Sequence, residues 1–211
     1  MTVTRRTGNM QQAPSVQYPE RMSLAEAREL FFARSGLGQD GGYGARWVKV
    51  ESKPFPVYFP NTSCRVAAAK LHDLHHVATE YGVDWTGEAE IAGWEIASGC
   101  GWHGWAWILN LGAFTIGLFR SPRRLFRAFV RGRHTSANLY HDAMPDESLA
   151  LVDVGTLRRR LGLTAEHAQP ARASDVVCFV LWAVIGVAWH ALFGVLGLAA
   201  VVLVLSRLHW V

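Results

Sequence analysis

The stretch LHDLHHVATEYGVDWTGEAEIAGWEIASGC, residues 71–100, decides how the rest of this chain is read. His72, Asp73, His75 and His76 place three imidazoles and a carboxylate within five residues, and Glu88, Glu90 and Glu95 follow. No Gly or Pro interrupts the sequence from Ala67 to Gly82, and Leu71 and Leu74 recur at helical spacing, so a helix ending at Gly82 is predicted. In a helix His72 and His76 lie one turn apart on one face, with Asp73 about 100° round from His72. Asp84 or Thr86 can cap a second helix that returns Glu88 opposite the two imidazoles. Two neutral imidazoles with one or two carboxylates make a divalent-metal site with room for water or substrate. A single His on a helix is ordinarily a solvated side chain; His, Asp and His on one face, followed by an acid on the next helix, point to a metal.

The same residues carry a resemblance. His72-Asp73-Leu74-His75-His76, eleven further residues and Glu88 fit H-D-x-x-H-x11-E, and the chain resembles the coenzyme Q (ubiquinone) biosynthesis protein 4 family, as a bacterial member. The likeness extends over residues 24–163. It includes Ser-Pro-Arg-Arg at 121–124, Arg-Gly-Arg at 131–133 and a closing DVGTLRRRLGL at 153–163 that is similar to the family's last helix. The resemblance implies a mostly helical, membrane-associated, zinc-binding protein that handles prenylated quinone precursors. It implies His72, Asp73, His76 and Glu88 as metal ligands and catalytic residues. Two activities are implied: decarboxylation with hydroxylation at C1 of the headgroup, and assembly of the biosynthetic complex with other quinone-biosynthesis proteins.

Bulk composition sets the frame. The 211 residues suit one domain plus appendages, and half of them are hydrophobic, with nine Trp. A net charge of +4 favours an anionic membrane surface or ligand and is too mild to argue for nucleic acid. Cys64, Cys100 and Cys178 show no paired spacing and fit a reducing compartment.

Residues 1–22 are polar and expected to be flexible; no apolar stretch there suggests a secretory signal. Ser23 and Glu26 form a capping box for a helix ending before Gly36. The Gly-rich residues 39–44 read as a turn. Residues 47–50 and 57–59 read as two strands of a small hairpin joined by residues 51–56. Residues 102–119 are nearly all apolar, but four glycines in and beside the stretch favour a buried helix lining an apolar pocket, or one at a membrane interface, over a span. Arg120, Arg123, Arg124, Arg127, Arg131 and Arg133 follow; Arg123, Arg124 and Arg127 are the candidates for holding an anionic ligand end.

Residues 176–205 contain no Asp, Glu, Lys or Arg. As one helix they measure about 45 Å against about 30 Å of hydrocarbon, so they form a tilted span or a hydrophobic hairpin bent near His190 or Gly194; the single span is favoured, because each hairpin arm of about 21 Å is too short to cross. This tail departs from the resembled family's pattern. Arg158, Arg159, Arg160 and Arg172 precede it and only Arg207 follows, which places the metal domain on the cytoplasmic side of a bacterial inner membrane.

The expected architecture is all-α: a mostly helical domain (residues 23–165) with a small β-hairpin, plus a C-terminal transmembrane helix or hydrophobic hairpin (residues 174–206). The expected cofactor is Zn²⁺, with iron the alternative, and the expected ligand is a prenylated quinone precursor or isoprenoid lipid. Two other functions compete. One is a non-catalytic isoprenoid-lipid-binding scaffold. The other is a di-iron lipid hydroxylase, since His72-x-x-His75-His76 matches a histidine box, although His103, His134, His141, His167, His190 and His209 are scattered singly.

Overall fold

The helices that carry the metal-capable side chains begin on side-chain caps. The computed structural model describes residues 2–5, 17–50, 56–163 and 170–208. Ser23 caps α1 (Leu24–Ser35) through the expected capping box, and Gly36 ends it in the left-handed region at φ 68°. Thr62 caps α2 (Ser63–Thr79) by accepting from Arg65 N–H. Asp84 caps α3 (Trp85–Ser98) by accepting from Gly87 N–H at 2.7 Å. A Cβ at Gly87 would lie 2.1 Å from the Gly82 carbonyl oxygen, so only glycine lets the turn fold this tightly onto the residue before Glu88.

α3 runs through the middle of the domain, packed most extensively on α4 (Gly104–Arg120) and α5 (Pro122–Arg133). A Cβ at Gly132 would meet the Trp94 carbonyl oxygen at 2.4 Å, which allows α5 to approach α3 backbone to backbone. One core cluster joins α1, α2 and α3 to α6 (Val154–Leu161), with Leu24, Leu74, Trp94 and Leu157 fully buried. A second joins α3, α4 and α5 around Leu125, Phe114 and Phe129, and α7 (Ala173–Leu208) closes it with Phe179 and Trp182. The chain is thus mostly helical, with seven α-helices among the described residues.

The structure corrects some sequence expectations and sharpens others. First, the β2–β3 hairpin (Trp47–Val50 with Val57–Pro60, antiparallel) exists, but β1 (Thr2–Arg5) adds a third strand, parallel to β2. Thr2, Val3 and Thr4 are β-branched, and the free edge of β2 uses a propensity hidden in a polar segment. Tyr18 is buried as well, so residues 1–22 are not uniformly loose; residues 6–16, the hairpin residues 51–55 and residues 164–169 lie outside the described residues.

Second, α2 ends at Thr79, before Gly82. Glu80 takes the left-handed conformation at φ 64°, the only non-glycine to do so among the described residues. That conformation costs about 1–2 kcal/mol, and it is held from afar: Arg158 Nη2 donates to Glu80 Oε1 at 2.6 Å and Tyr18 N–H donates to the same oxygen at 3.3 Å.

Third, of the two forms expected for the tail the favoured one is observed: one continuous helix of 36 residues and not a hairpin. Residues 173–208 contain no proline, and neither His190 nor Gly194 breaks the helix. Among the described residues it supplies the one stretch, Ala173–Gly197, long and apolar enough to cross a membrane by length and composition.

Fourth, α7 is not simply a free tail. Trp182 stacks on Trp107 at 5.2 Å and Phe179 meets Phe114, Phe126 and Phe129 within 5.5 Å, so its first half is part of the domain. From Gly104 the apolar stretch forms a domain helix, α4, as preferred from the sequence, while Trp102 ahead of it is exposed: Phe114 is fully buried, and the helix lines a pocket.

Candidate metal centre and pocket

Two adjacent helices bring three ligand-capable side chains together as the spacing predicted. His72 Nε2 and His76 Nε2 are 3.0 Å apart. Glu88 Oε2 lies 3.5 Å from His72 Nε2, and Glu88 Oε1 lies 3.9 Å from His76 Nε2. These three residues form a group that can hold a metal ion. For ligands at about 2.0–2.1 Å, neighbouring donors are about 3.0–3.4 Å apart in octahedral or tetrahedral sites, so the group needs only small adjustments to close on a cation.

The hydrogen bonds at the two Nδ1 atoms leave both Nε2 atoms facing each other. His72 Nδ1 is 2.9 Å from Glu95 Oε1, and His76 Nδ1 is 2.9 Å from the Tyr81 carbonyl oxygen. Both partners are acceptors, so each Nδ1 carries its proton and each Nε2 turns a lone pair inward. Two lone pairs at 3.0 Å repel unless a proton or a metal lies between them. In the metal-free protein the proton takes that place: burial disfavours the charged ring, but Glu95 and Glu88 outweigh it and push His72 up to about 10. The left-handed stop at Glu80 belongs to this site, because the turn it makes delivers the Tyr81 carbonyl to His76.

Glu95 is the organiser that the sequence reading left without a role. It is fully buried on α3, two turns beyond Glu88. Its Oε1 accepts from His72 Nδ1 and from His75 Nδ1 at 2.7 Å; its Oε2 accepts from Asn110 Nδ2 at 2.5 Å and Tyr140 Oη at 3.1 Å. Burial alone would protonate it, but the His72 charge and the histidine hydrogen bonds hold its carboxyl far below the usual range. Burial of Tyr140 and the nearby Glu95 charge push its hydroxyl well above the usual range and keep it a donor. Glu at i+7 from Glu88 on a helix was the available signal, but its partners Asn110 and Tyr140 come from distant segments.

His75 belongs to the core. Leu139 N–H donates to its Nε2 at 3.0 Å, its Nδ1 faces Glu95, and burial lowers its affinity for a second proton. Both ring nitrogens are committed to protein partners, which argues against a histidine-box di-iron centre.

Asp73 stands outside the three-residue group. It is buried, and its Oδ2 accepts from the Tyr43 hydroxyl at 2.7 Å, tying the loop between α1 and β2 to α2. The arginines are not gathered at the site either. Arg124 makes a bidentate pair with Glu90, Nε to Oε1 at 2.9 Å and Nη2 to Oε2 at 2.7 Å, while Arg123 and Arg127 are exposed. The arginine that does line the pocket is Arg65, whose Nη1 donates to Asn61 Oδ1 at 3.0 Å. Asn61 holds the loop through the carbonyls of Gly42, Tyr43 and Ala45.

A pocket of about 320 Å³ opens beside the metal group, with His72 and Glu88 in its wall. β2 and β3 contribute Val48 and Phe59, α2 contributes Ala68 and Ala69, and α4 contributes Leu109, Gly112 and Ile116. Asn110 and Tyr140, both bonded to Glu95, also line it, so one hydrogen-bond network touches both the metal ligand and the ligand cavity. The volume falls at the lower end for small-molecule sites, and the mixture of an apolar wall with a few convergent polar groups is what such sites need.

Compared with protein-family models, curated proteins and solved structures, the chain has no significant match.

Proposed function

We propose that this protein binds zinc and takes a prenylated quinone precursor, or a related isoprenoid lipid, at a membrane surface, in coenzyme Q or similar prenylquinone biosynthesis. One observation carries the reading: a largely buried His72–His76–Glu88 group capable of holding a metal puts His72 and Glu88 in the wall of an apolar pocket. That arrangement suits an amphipathic ligand whose polar headgroup meets the metal and whose apolar part lies against α4 and the sheet. The H-D-x-x-H-x11-E spacing from His72 to Glu88 supports the same class of ligand through the family it resembles. Bound zinc would act as a Lewis acid, stabilising negative charge on a headgroup oxygen or carboxylate. The chain's own residues would do the rest. His72 and His76 present Nε2, Glu88 supplies the anionic ligand, Glu95 fixes His72, and Asn110 and Tyr140 bound the headgroup end. Chemistry at C1 of the headgroup is the activity proposed for this site. α7 would hold the protein in the membrane, with the domain on the cytoplasmic side, in keeping with the arginines before it and Arg207 after it.

A scaffold role that presents the prenylated precursor to other quinone-biosynthesis proteins is the second reading. It is favoured by the depth of the metal group, where His76 is buried and Glu88 nearly so, with few polar groups in the pocket. The test combines elemental analysis, lipid mass spectrometry of the protein extracted from membranes, and turnover of a defined prenylated headgroup acid. Stoichiometric zinc, a co-purifying isoprenoid and loss of carboxyl from the substrate support the enzyme. Zinc and lipid without turnover support the scaffold. A protein that takes up neither zinc nor isoprenoid refutes both.

A further inference from the structure

We infer that the bilayer covers one continuous apolar face built from the outer side of α7 and the outer side of α4, so that the pocket opens into lipid and not into water. The inference rests on α7 being a membrane helix, and goes beyond it: a tail used only as a tether would leave the domain and its pocket standing in the aqueous phase.

The length of α7 raises the question. Its uncharged stretch, residues 176–205, is about 45 Å long as a helix, about 15 Å more than the hydrocarbon it has to cross. The surplus cannot stand in water at the domain end, because the side of α7 turned away from the domain is apolar there too: Val180 and Val184 are exposed at 52% and 62%. Yet this same section is the one docked on the domain, through Phe179 and Trp182. Gly186 packs so tightly that a Cβ there would lie 2.5 Å from Thr115 Oγ1. A lipid environment that covers the outer face of this section therefore reaches α4.

The faces of α4 carry the argument to the pocket. At about 100° per residue, Trp107, Leu111 and Phe114 fall on the side that meets α7, and Leu109, Gly112 and Ile116 fall on the pocket side. Ile108, at the edge of the pocket lining, and Phe119 lie towards α7 from there, exposed at 43% and 79%. Apolar surface therefore runs without a polar break from the outer face of α7, across α4, to the pocket wall. The residue after Phe119 begins a basic corner, with Arg120, Arg123 and Arg127 all exposed. Guanidinium groups beside an apolar face are placed to reach anionic headgroups while the face enters the acyl region. A second protein copy would match the apolar face but gives no use for this cluster of positive charge; an anionic bilayer matches both. An isoprenoid ligand would then pass sideways from the bilayer into the pocket without crossing water.

The test is spin-label accessibility in the full-length protein, reconstituted in phosphatidylglycerol–phosphatidylethanolamine vesicles. Cys64→Ser and Cys178→Ala remove the accessible thiols, since Cys100 is buried. Nitroxides are placed by Phe119→Cys, Val184→Cys and Leu196→Cys, with Ala33→Cys on α1 as the aqueous reference. The expected result is a several-fold higher ratio of oxygen to nickel-chelate collisions at positions 119, 184 and 196 than at 33. Lipid at 196 with water at 119 overturns the seating of α4 while leaving α7 as an anchor. Water at 196 overturns the membrane reading of α7 itself. Shielding of 184 from both reagents means that protein covers this face, a second copy above all, and overturns the inference.

Discussion

Glu95→Gln is the sharpest probe of the site, because it removes a charge while keeping the shape. The carboxylate accepts four hydrogen bonds, from His72, His75, Asn110 and Tyr140. A glutamine can keep its carbonyl oxygen towards the two imidazoles. Its amide then faces Asn110, whose own amide can turn over to accept, and the Tyr140 oxygen, which can accept as well. The fold therefore survives. What is lost is the negative charge that fixes the proton on His72 Nδ1 and raises the basicity of Nε2. A charge-assisted hydrogen bond contributes about 1.5–3 kcal/mol, and losing an outer partner of a metal-ligating histidine costs about 10–100-fold in affinity. The two ranges agree, since tenfold corresponds to about 1.4 kcal/mol. Truncation to alanine would be less informative: four buried donors without an acceptor cost about 1–3 kcal/mol each, comparable to the whole stability of a domain. The assay is zinc competition against a chromophoric chelator, with a thermal melt to show that the variant is folded. Glu90→Gln is the control, because Glu90 pairs with Arg124 instead. A folded Glu95→Gln protein whose zinc affinity stays within about twofold of the parent would refute the orienting role of Glu95.

Three further outcomes are expected. Zinc affinity should rise about tenfold per pH unit between pH 6 and 9, because binding displaces the proton that His72 holds up to about 10; a flat profile in calorimetry with buffers of different ionisation enthalpy argues against that proton. Asp73→Asn should keep one zinc per chain at saturation, because Asp73 lies outside the three-residue group and its oxygen can still accept from Tyr43; loss of the zinc by elemental analysis would make Asp73 a ligand. Truncation after Pro170 should release the domain from the membrane but lower its melting temperature and promote aggregation, because Phe179 and Trp182 leave Phe114 and Trp107 uncovered. A truncated protein that is as stable as the whole chain would show α7 to be a passive tail, and one that still sediments with membranes would move the anchor to α4.

What the sequence determined by itself is what depends on neighbours within a turn or two. The caps at Ser23 and Asp84, the stop at Gly36 and the one-turn spacing of His72 and His76 are set by local hydrogen bonding and by the pitch of the helix. The apolar character of α7 is equally local, since only composition enters it. Glu88 came opposite the histidines because a tight turn between two helices leaves few places for it to go. Tertiary structure decided the rest, through contacts between segments far apart in the chain. Glu80 rather than Gly82 ends α2, because Arg158, 78 residues away, holds a conformation that Glu80 would not adopt alone. Glu95 gained its role only when Asn110 and Tyr140 converged on it. The basic run after residue 119 looked like a ligand site by composition, but packing gave Arg124 to Glu90 and left Arg123 and Arg127 at the surface, while Arg65 came to line the pocket. Local rules carry no information about such pairings, because each is chosen by which helix faces happen to meet once the apolar surfaces are buried.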